Sequence, residues 1–245
     1  RNTLFAASIK DIGWITELCA KGRKGDTELR AEVNKLIENP LSRAELKERA
    51  ATALPDVPFW HVVRVAMESG HAVYSGADQL ITPVHLPGLE ETFNGDKVAA
   101  TAELMTRYFR THGPATLHDF AWWAKLPQRL IRPAAENLAP DIVRCGEDFQ
   151  DLVSAEIVEM SEARKKQSVL LLGAFDEYIL GYQDRLFAMT NEVHEVLVPG
   201  NRGVFRRAVV VDGQVHGTWN KQAIEDLGMP GYAIQKVQKL WRDAH

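Results

Sequence analysis

The chain has 245 residues, a net charge of −4, and hydrophobic and charged fractions of 45% and 25%. That composition excludes a disordered chain and wholesale electrostatic coating of nucleic acid, and it has enough apolar residues for one large domain or two to three small ones. No apolar run approaches the roughly 18 residues of a membrane span, and no signal peptide stands out, so a cytoplasmic protein without a membrane partner is expected. Two well-separated cysteines, Cys19 and Cys145, form neither a disulfide framework nor a zinc cluster.

Arg1–Phe5 reads as an extended strand, and Ser8 to Cys19 as a helix with Ile9, Ile12, Ile15 and Leu18 on one side. Lys21–Asp26 is a charged connector. Leu29, Val33, Leu36 and Ile37 then repeat at helical spacing until Asn39-Pro40, and Ser42 with Glu45 is a capping box opening a second helix. A third helix is predicted from Pro58 to about Ser69. Phe59, Val62, Val63 and Ala66 face its core, leaving Trp60, His61, Arg64 and Glu68 exposed, with His61 and Arg64 as candidates for DNA contacts. A hairpin over His71–Val84 completes the unit.

After a linker at Pro87–Gly95 the same plan returns. Thr101–His112 reads as a helix, ended by Gly113-Pro114 with the glycine suited to a left-handed cap. Thr116 with Asp119 caps the next helix. Leu117, Phe120, Ala121 and Ala124 face the core, and Trp122 points away. A third helix from Pro127 buries Leu130, Ile131, Ala134 and Leu138 and exposes Gln128, Arg129, Arg132 and Glu136. Two arginines and an amide on such a face suit a DNA major groove; the alternative is a solvated face on a helix that merely packs. Pro133 predicts a kink or a late start near Arg132. Ile142–Cys145 and the turn Gly146-Glu147-Asp148 make a candidate wing. The N-caps Ser42 and Thr116 stand 74 residues apart, so the reading is an internal duplication of a winged helix-turn-helix.

Leu152–Lys166 is ambiguous between strand and helix, and Arg164–Lys166 is either a solvated helix end or a phosphate site. Ser168–Leu172 is a strand-length apolar run, and Phe205–Val211, Asp212-Gly213 and Gln214–Trp219 form a hairpin on a type I′ turn. A terminal helix carries Ile234, Val237, Leu240 and Trp241. The predicted class is α+β: a remnant of a first winged-helix unit plus a helix in 1–25, winged helices in 26–95 and 96–158, and a β-rich C-terminal subdomain in 159–245.

Neither metal-ligand spacings nor the glycine-rich loops of nucleotide sites occur, so no metal and no nucleotide cofactor is expected. Asp176, Glu177, Tyr182, Asp184 and Arg185 form a polar cluster. It either positions water and stabilises a cationic transition state or is a salt-bridge network anchoring the sheet. Arg202, Arg206 and Arg207 are candidates for phosphate contacts. Trp122 and Trp219 either stack on an extruded base or fill interfaces.

Three segments, taken together, resemble a known family. They are Tyr108-Phe109-Arg110 with Gly113–Thr116 and Asp119–Trp123; Ala174–Tyr178 with Gly181–Arg185; and Gly203–Arg206 with Val211–Gly213 and Gly217–Trp219. The family is the bacterial tandem winged-helix DNA-binding group that includes the azinomycin-resistance and crosslink-unhooking DNA glycosylases. Arg1–Phe5 is similar to its Arg-Gly-Thr-Leu-His segment, departing at Asn2 and Phe5. The resemblance implies three winged helices and a β-rich portion around a DNA-binding concavity, with metal-free hydrolysis of the N-glycosidic bond of bulky or crosslinking alkylpurine adducts. It places the catalytic Gln-hydrophobic-Gln or Gln-hydrophobic-Asp signature upstream of Arg1, where further sequence is expected. No such motif occurs in residues 1–245, so the catalytic residues are left unassigned. The expected partner is double-stranded DNA, and a transcriptional regulator, a non-catalytic winged-helix binder and a helical interaction module are the alternatives.

Overall fold

The computed structural model describes residues 8, 10–19, 26–146, 151–161 and 167–244. The expected strand at Arg1–Phe5, residues 21–25 of the connector, Glu147-Asp148 of the candidate wing and the Arg164–Lys166 cluster lie outside them. The chain is a mixture of helices and antiparallel sheets. It divides into two compact units: the described residues of Arg1–Thr106 with Leu126–Ala139, and those of Arg107–Lys125 with Pro140–His245.

In the first unit α1 (Ile12–Cys19) starts later than its apolar spacing suggests. Of the expected stripe Leu18 is buried, Ile12 and Ile15 are half-buried and Ile9 lies outside the described residues; Gly13 and Trp14 are buried as well, the Trp14 ring edge-on to Phe93 at 5.0 Å. Three helices follow, α2 (Asp26–Leu36), α3 (Arg43–Ala53) and α4 (Phe59–Glu68), then strands β1 (Ala72–Ser75) and β2 (Leu80–Pro83). Val33, Ile37, Leu46, Val62, Ala66 and Ile81 are fully buried in one core. The Ser42 box opens α3 as its sequence requires: Ser42 Oγ accepts from Glu45 N–H, and Glu45 Oε2 from Ser42 N–H. Just before that cap, Leu41 exchanges two backbone hydrogen bonds with Ile81, of 3.0 and 2.8 Å. Here the helix start is fastened to the hairpin.

A short helix, α5 (Leu89–Phe93), precedes α6 (Lys97–His112). Helix α6 begins four residues earlier than the apolar stripe indicates, since Asp96 Oδ1 accepts from both Val98 and Ala99 N–H. Helices α7 (Leu117–Ala124) and α8 (Gln128–Ala135) and strands β3 (Ile142–Cys145) and β4 (Asp151–Ser154) follow in the order of the earlier set. Ala115, before the Thr116 cap, pairs with Leu152 by bonds of 3.1 and 2.8 Å, as Leu41 does with Ile81.

Two local expectations are corrected. Gly113 is not in the left-handed region; it is required because a Cβ there would stand 2.8 Å from the Leu152 carbonyl oxygen. Helix α8 does not take the late start near Arg132, one of the two alternatives; it begins at Gln128 and runs through Pro133 to Ala135. The proline forfeits one backbone bond, and burial of Leu130, Ile131 and Ala134 offsets that loss at roughly 1.5–3 kcal/mol for a large apolar side chain.

In the second unit the described part of the ambiguous Leu152–Lys166 stretch, up to Ser161, contains both structures, β4 and then α9 (Ala155–Ser161). A four-stranded antiparallel sheet runs β5 (Val169–Leu171), β6 (Arg207–Val211), β7 (Gln214–Trp219), β8 (Ile224–Asp226). Alternation along β6 sends Val209 and Val211 toward Ala233 and Val237 of α12 (Gly231–Asp243), and Ala208 and Val210 toward Ile179, Met189, Val193 and Leu197. Those last residues belong to α10 (Glu177–Leu180), α11 (Asn191–Leu197) and the loop between them. The β6–β7 turn has Asp212 at φ 48° and Gly213 at φ 83°, as an Asp-Gly hairpin demands.

Candidate functional site

The residues singled out by sequence fall in three places, each within one unit. The first is the pair of helices α4 and α8. On α8, Gln128, Arg129 and Arg132 are exposed, as their spacing predicts. On α4 the expectation of an open His61 and Arg64 is corrected. Arg64 is ion-paired with Glu68 one turn on, it donates to His61 Nε2 at 2.6 Å, and only 12% of its side chain is accessible. Trp60, stacked on His61, is the exposed aromatic of that helix.

The second place is the segment Phe175–Phe187 with α6 and α7. The five residues of the cluster take several different partners. Asp176 is the N-cap of α10, accepting from Tyr178 N–H, and Asp184 is exposed and accepts from Leu186 N–H. Glu177 accepts from Trp123 Nε1 at 2.9 Å and lies 3.6 Å from His112 Nε2. Tyr182 donates to the His112 carbonyl at 2.7 Å, and Tyr108 to the Gly181 carbonyl at 2.8 Å. His112 is stacked on Tyr108, with centroids 4.6 Å apart. Gly181 admits this packing because a Cβ would press on the His112 ring and stand 2.7 Å from Glu177 O. Burial, then the negative neighbourhood of Tyr178, Asp119 and Glu177, pushes the Tyr182 phenol up to about 12.

Arg185 is buried, donating from Nε to the Ile179 carbonyl at 3.1 Å. Its guanidinium carbon is 5.1 Å from the ring centroids of both Trp122 and Phe205. Trp122 also carries the Lys125 ammonium at 4.2 Å. Cations therefore already sit against its π-face, which corrects its reading as an open platform for an extruded base. Asp119 is the residue that sequence reasoning saw by half. Its Oδ2 accepts from Thr116 N–H and Oγ1–H, and its Oδ1 accepts from Gln183 N–H at 2.9 Å. Around this polar framework Phe175, Leu186 and Phe187 are about half exposed, and Phe175 holds a left-handed φ of 62°.

The third place is the approach to the hairpin. Arg202 is exposed, Arg206 faces Glu225 at 3.4 Å, and Arg207 lies over the Trp219 ring at 4.7 Å. Trp219 Nε1 donates to the Leu172 carbonyl, so this tryptophan is a strut of the sheet rather than a base platform. Two of the three arginines are engaged within the fold. Among the described residues no group of three or more His, Cys, Asp and Glu side chains is arranged to hold a metal ion, and no helix is long and apolar enough to cross a membrane.

This combination of helices and small antiparallel sheets recurs in a solved structure, that of Streptomyces sahachiroi DNA glycosylase AlkZ, which is similar with a TM-score of 0.64. At 19% identity that likeness is one of fold; it covers 94% of this chain and 70% of that one. The model of the AlkZ-like family, described as "DNA glycosylase AlkZ-like", matches residues 1–227, and the chain belongs to that family. It is the family that the three matching segments resemble. No curated protein matches the sequence.

Proposed function

We propose that this chain binds duplex DNA, through two winged helices within 26–95 and 96–158, and serves the excision of bulky alkylpurine adducts. The observation that carries the reading is the family match across residues 1–227. The repeated fastening of a helix cap to its hairpin, Leu41 to Ile81 and Ala115 to Leu152, supports the duplication. An N7- or N3-alkylated purine is already a cationic leaving group, so its departure needs little acid catalysis. A polar group that orients water and steadies the oxocarbenium-like sugar suffices. Because Gln-x-Gln and Gln-x-Asp are absent from residues 1–245, the proposal gives this chain's residues the binding role and no catalytic one. A second reading is a non-catalytic winged-helix binder or regulator, which would use the same exposed helix faces without excision chemistry.

The test is fluorescence anisotropy with labelled duplexes, unmodified and alkylated, from about 50 to 200 mM salt, followed by an assay for strand scission at abasic sites. Duplex binding that weakens as salt rises is expected, since each neutralised phosphate releases counterions. Abasic product supports the excision reading, and binding to one defined operator without abasic product supports the regulator. Absence of duplex binding at low salt refutes both.

A further inference from the structure

Helices α4 and α8 share a buried face in the same register. Val62, Val63 and Ala66 of α4 correspond to Leu130, Ile131 and Ala134 of α8, a constant shift of 68 positions, and all six are buried. The shift places Gln128 at Trp60, Arg129 at His61, Arg132 at Arg64 and Glu136 at Glu68. The chemistry at these matched positions has diverged. In α4 the arginine is drawn down onto Glu68 and His61 and is largely covered. In α8 the acid falls one residue beyond the last helical residue, Ala135, and serves as the C-cap. Gln128, Arg129 and Arg132 are exposed, and among the described residues none has a hydrogen-bond, ion-pair or ring partner.

We infer that, of the two repeated helices, α8 alone reads the duplex, with Gln128, Arg129 and Arg132 as the residues that determine affinity and sequence preference, while α4 has become a packing element. This inference rests on the DNA-binding reading above. Two exposed guanidiniums on a chain of net charge −4 are complementary to a phosphodiester backbone. The residue types also fit base edges: arginine donates two bonds to guanine and glutamine pairs with adenine in the major groove. Residues 128 and 132 are one turn apart and 129 lies beside them, so all three project from one side of the helix. A surface arginine already neutralised by a neighbouring carboxylate, as Arg64 is, would have to break that pair before contacting DNA.

The experiment uses the full chain and a panel of labelled duplexes differing in guanine and adenine content. Arg129→Ala and Arg132→Ala are each expected to weaken duplex binding about ten-fold. A variant that loses a phosphate contact lowers the salt slope by about one, and one that loses a base contact flattens the preference across the panel. Gln128→Ala is expected to lower the preference for adenine-bearing duplexes. Trp60→Ala and His61→Gln are expected to bind as the wild type does. Melting temperatures of all five variants separate lost contacts from lost folding, and the three α8 side chains are exposed enough to be exchanged without disturbing a core. A wild type that binds while Arg129→Ala and Arg132→Ala bind equally well, or one that is weakened instead by the α4 variants, overturns this inference and leaves the DNA reading standing. A wild type that binds no duplex overturns both.

Discussion

Removing the second carboxylate oxygen of Asp119 should loosen the segment that carries Tyr182 and Arg185. Asp119 is 8% exposed, and each of its oxygens has a separate duty. Oδ2 closes the capping box with Thr116, and Oδ1 holds Gln183 N–H at 2.9 Å. In Asp119→Ala the Thr116 and Gln183 amides both lose their acceptor. A buried donor left unsatisfied costs about 1–3 kcal/mol, so a total of roughly 3 kcal/mol is expected once partial solvation is allowed for. Asp119→Asn retains one oxygen and turns an NH2 group toward the other donor, so about half that loss is expected. At about 2–4 °C per kcal/mol for chains of this size, the alanine variant should melt roughly 6–12 °C lower, with asparagine between it and the wild type. Hydrogen exchange at the Gln183 amide should accelerate in both. Melting within about 1 °C of the wild type, together with unchanged exchange at Gln183, would show that the bridge contributes nothing.

Further expectations concern charge and ionisation. Arg185→Lys keeps the charge but loses the planar group between the Trp122 and Phe205 rings and its Nε bond to Ile179, so a loss of about 1–3 kcal/mol should appear in urea unfolding; a wild-type midpoint would mean that stacking does not hold this residue. The raised phenol of Tyr182 contributes stability that is complete below the ordinary tyrosine value of 10.0 and is lost as pH climbs toward about 12. Comparing the unfolding midpoints of wild type and Tyr182→Phe at about pH 9 and about pH 11 checks this; a constant difference would refute it. Asp212 behaves in the opposite sense. The Tyr232 hydroxyl and then the Ser168 amide hold its carboxyl below the usual 3.8, so its contribution is present above that value and disappears as pH falls through the folded one. Melting curves at about pH 5 and about pH 3 should therefore converge for wild type and Asp212→Asn at the lower pH; an equal gap at both would exclude the linkage.

Local rules carried the reading wherever the determining residues were neighbours. Ser42 and Thr116 announce capping boxes because both partners lie within four residues, and Asp212-Gly213 announces its hairpin because only a few residue types tolerate positive φ at both positions. The same rules failed where a side chain answered to something distant. Glu177 was legible as a polar residue beside a strand, but its partner Trp123 is 54 positions away, and no periodicity reveals that separation. Asp119 was legible as a cap, whereas its bond to Gln183, 64 residues on, was not. For Arg64 the misreading was local. Glu68 at i+4 was in view, and treating the two as independent solvent-facing charges overlooked the pairing that such spacing favours on a helix. The tryptophans show a further limit: an indole's type suggests a platform, but only its surroundings reveal that Lys125 and Arg185, or Arg207, already occupy it.

Phe175 combines a positive φ with a ring that is half in solvent and tilted against Phe205 at 5.6 Å, so it carries conformational strain of about 1–3 kcal/mol against only partial burial. In a library screened only for resistance to heat, glycine or asparagine should therefore displace it readily. Persistence of phenylalanine when the same library is screened for what the protein does would mark the exposed phenyl group as an asset of the working molecule that its architecture does not require.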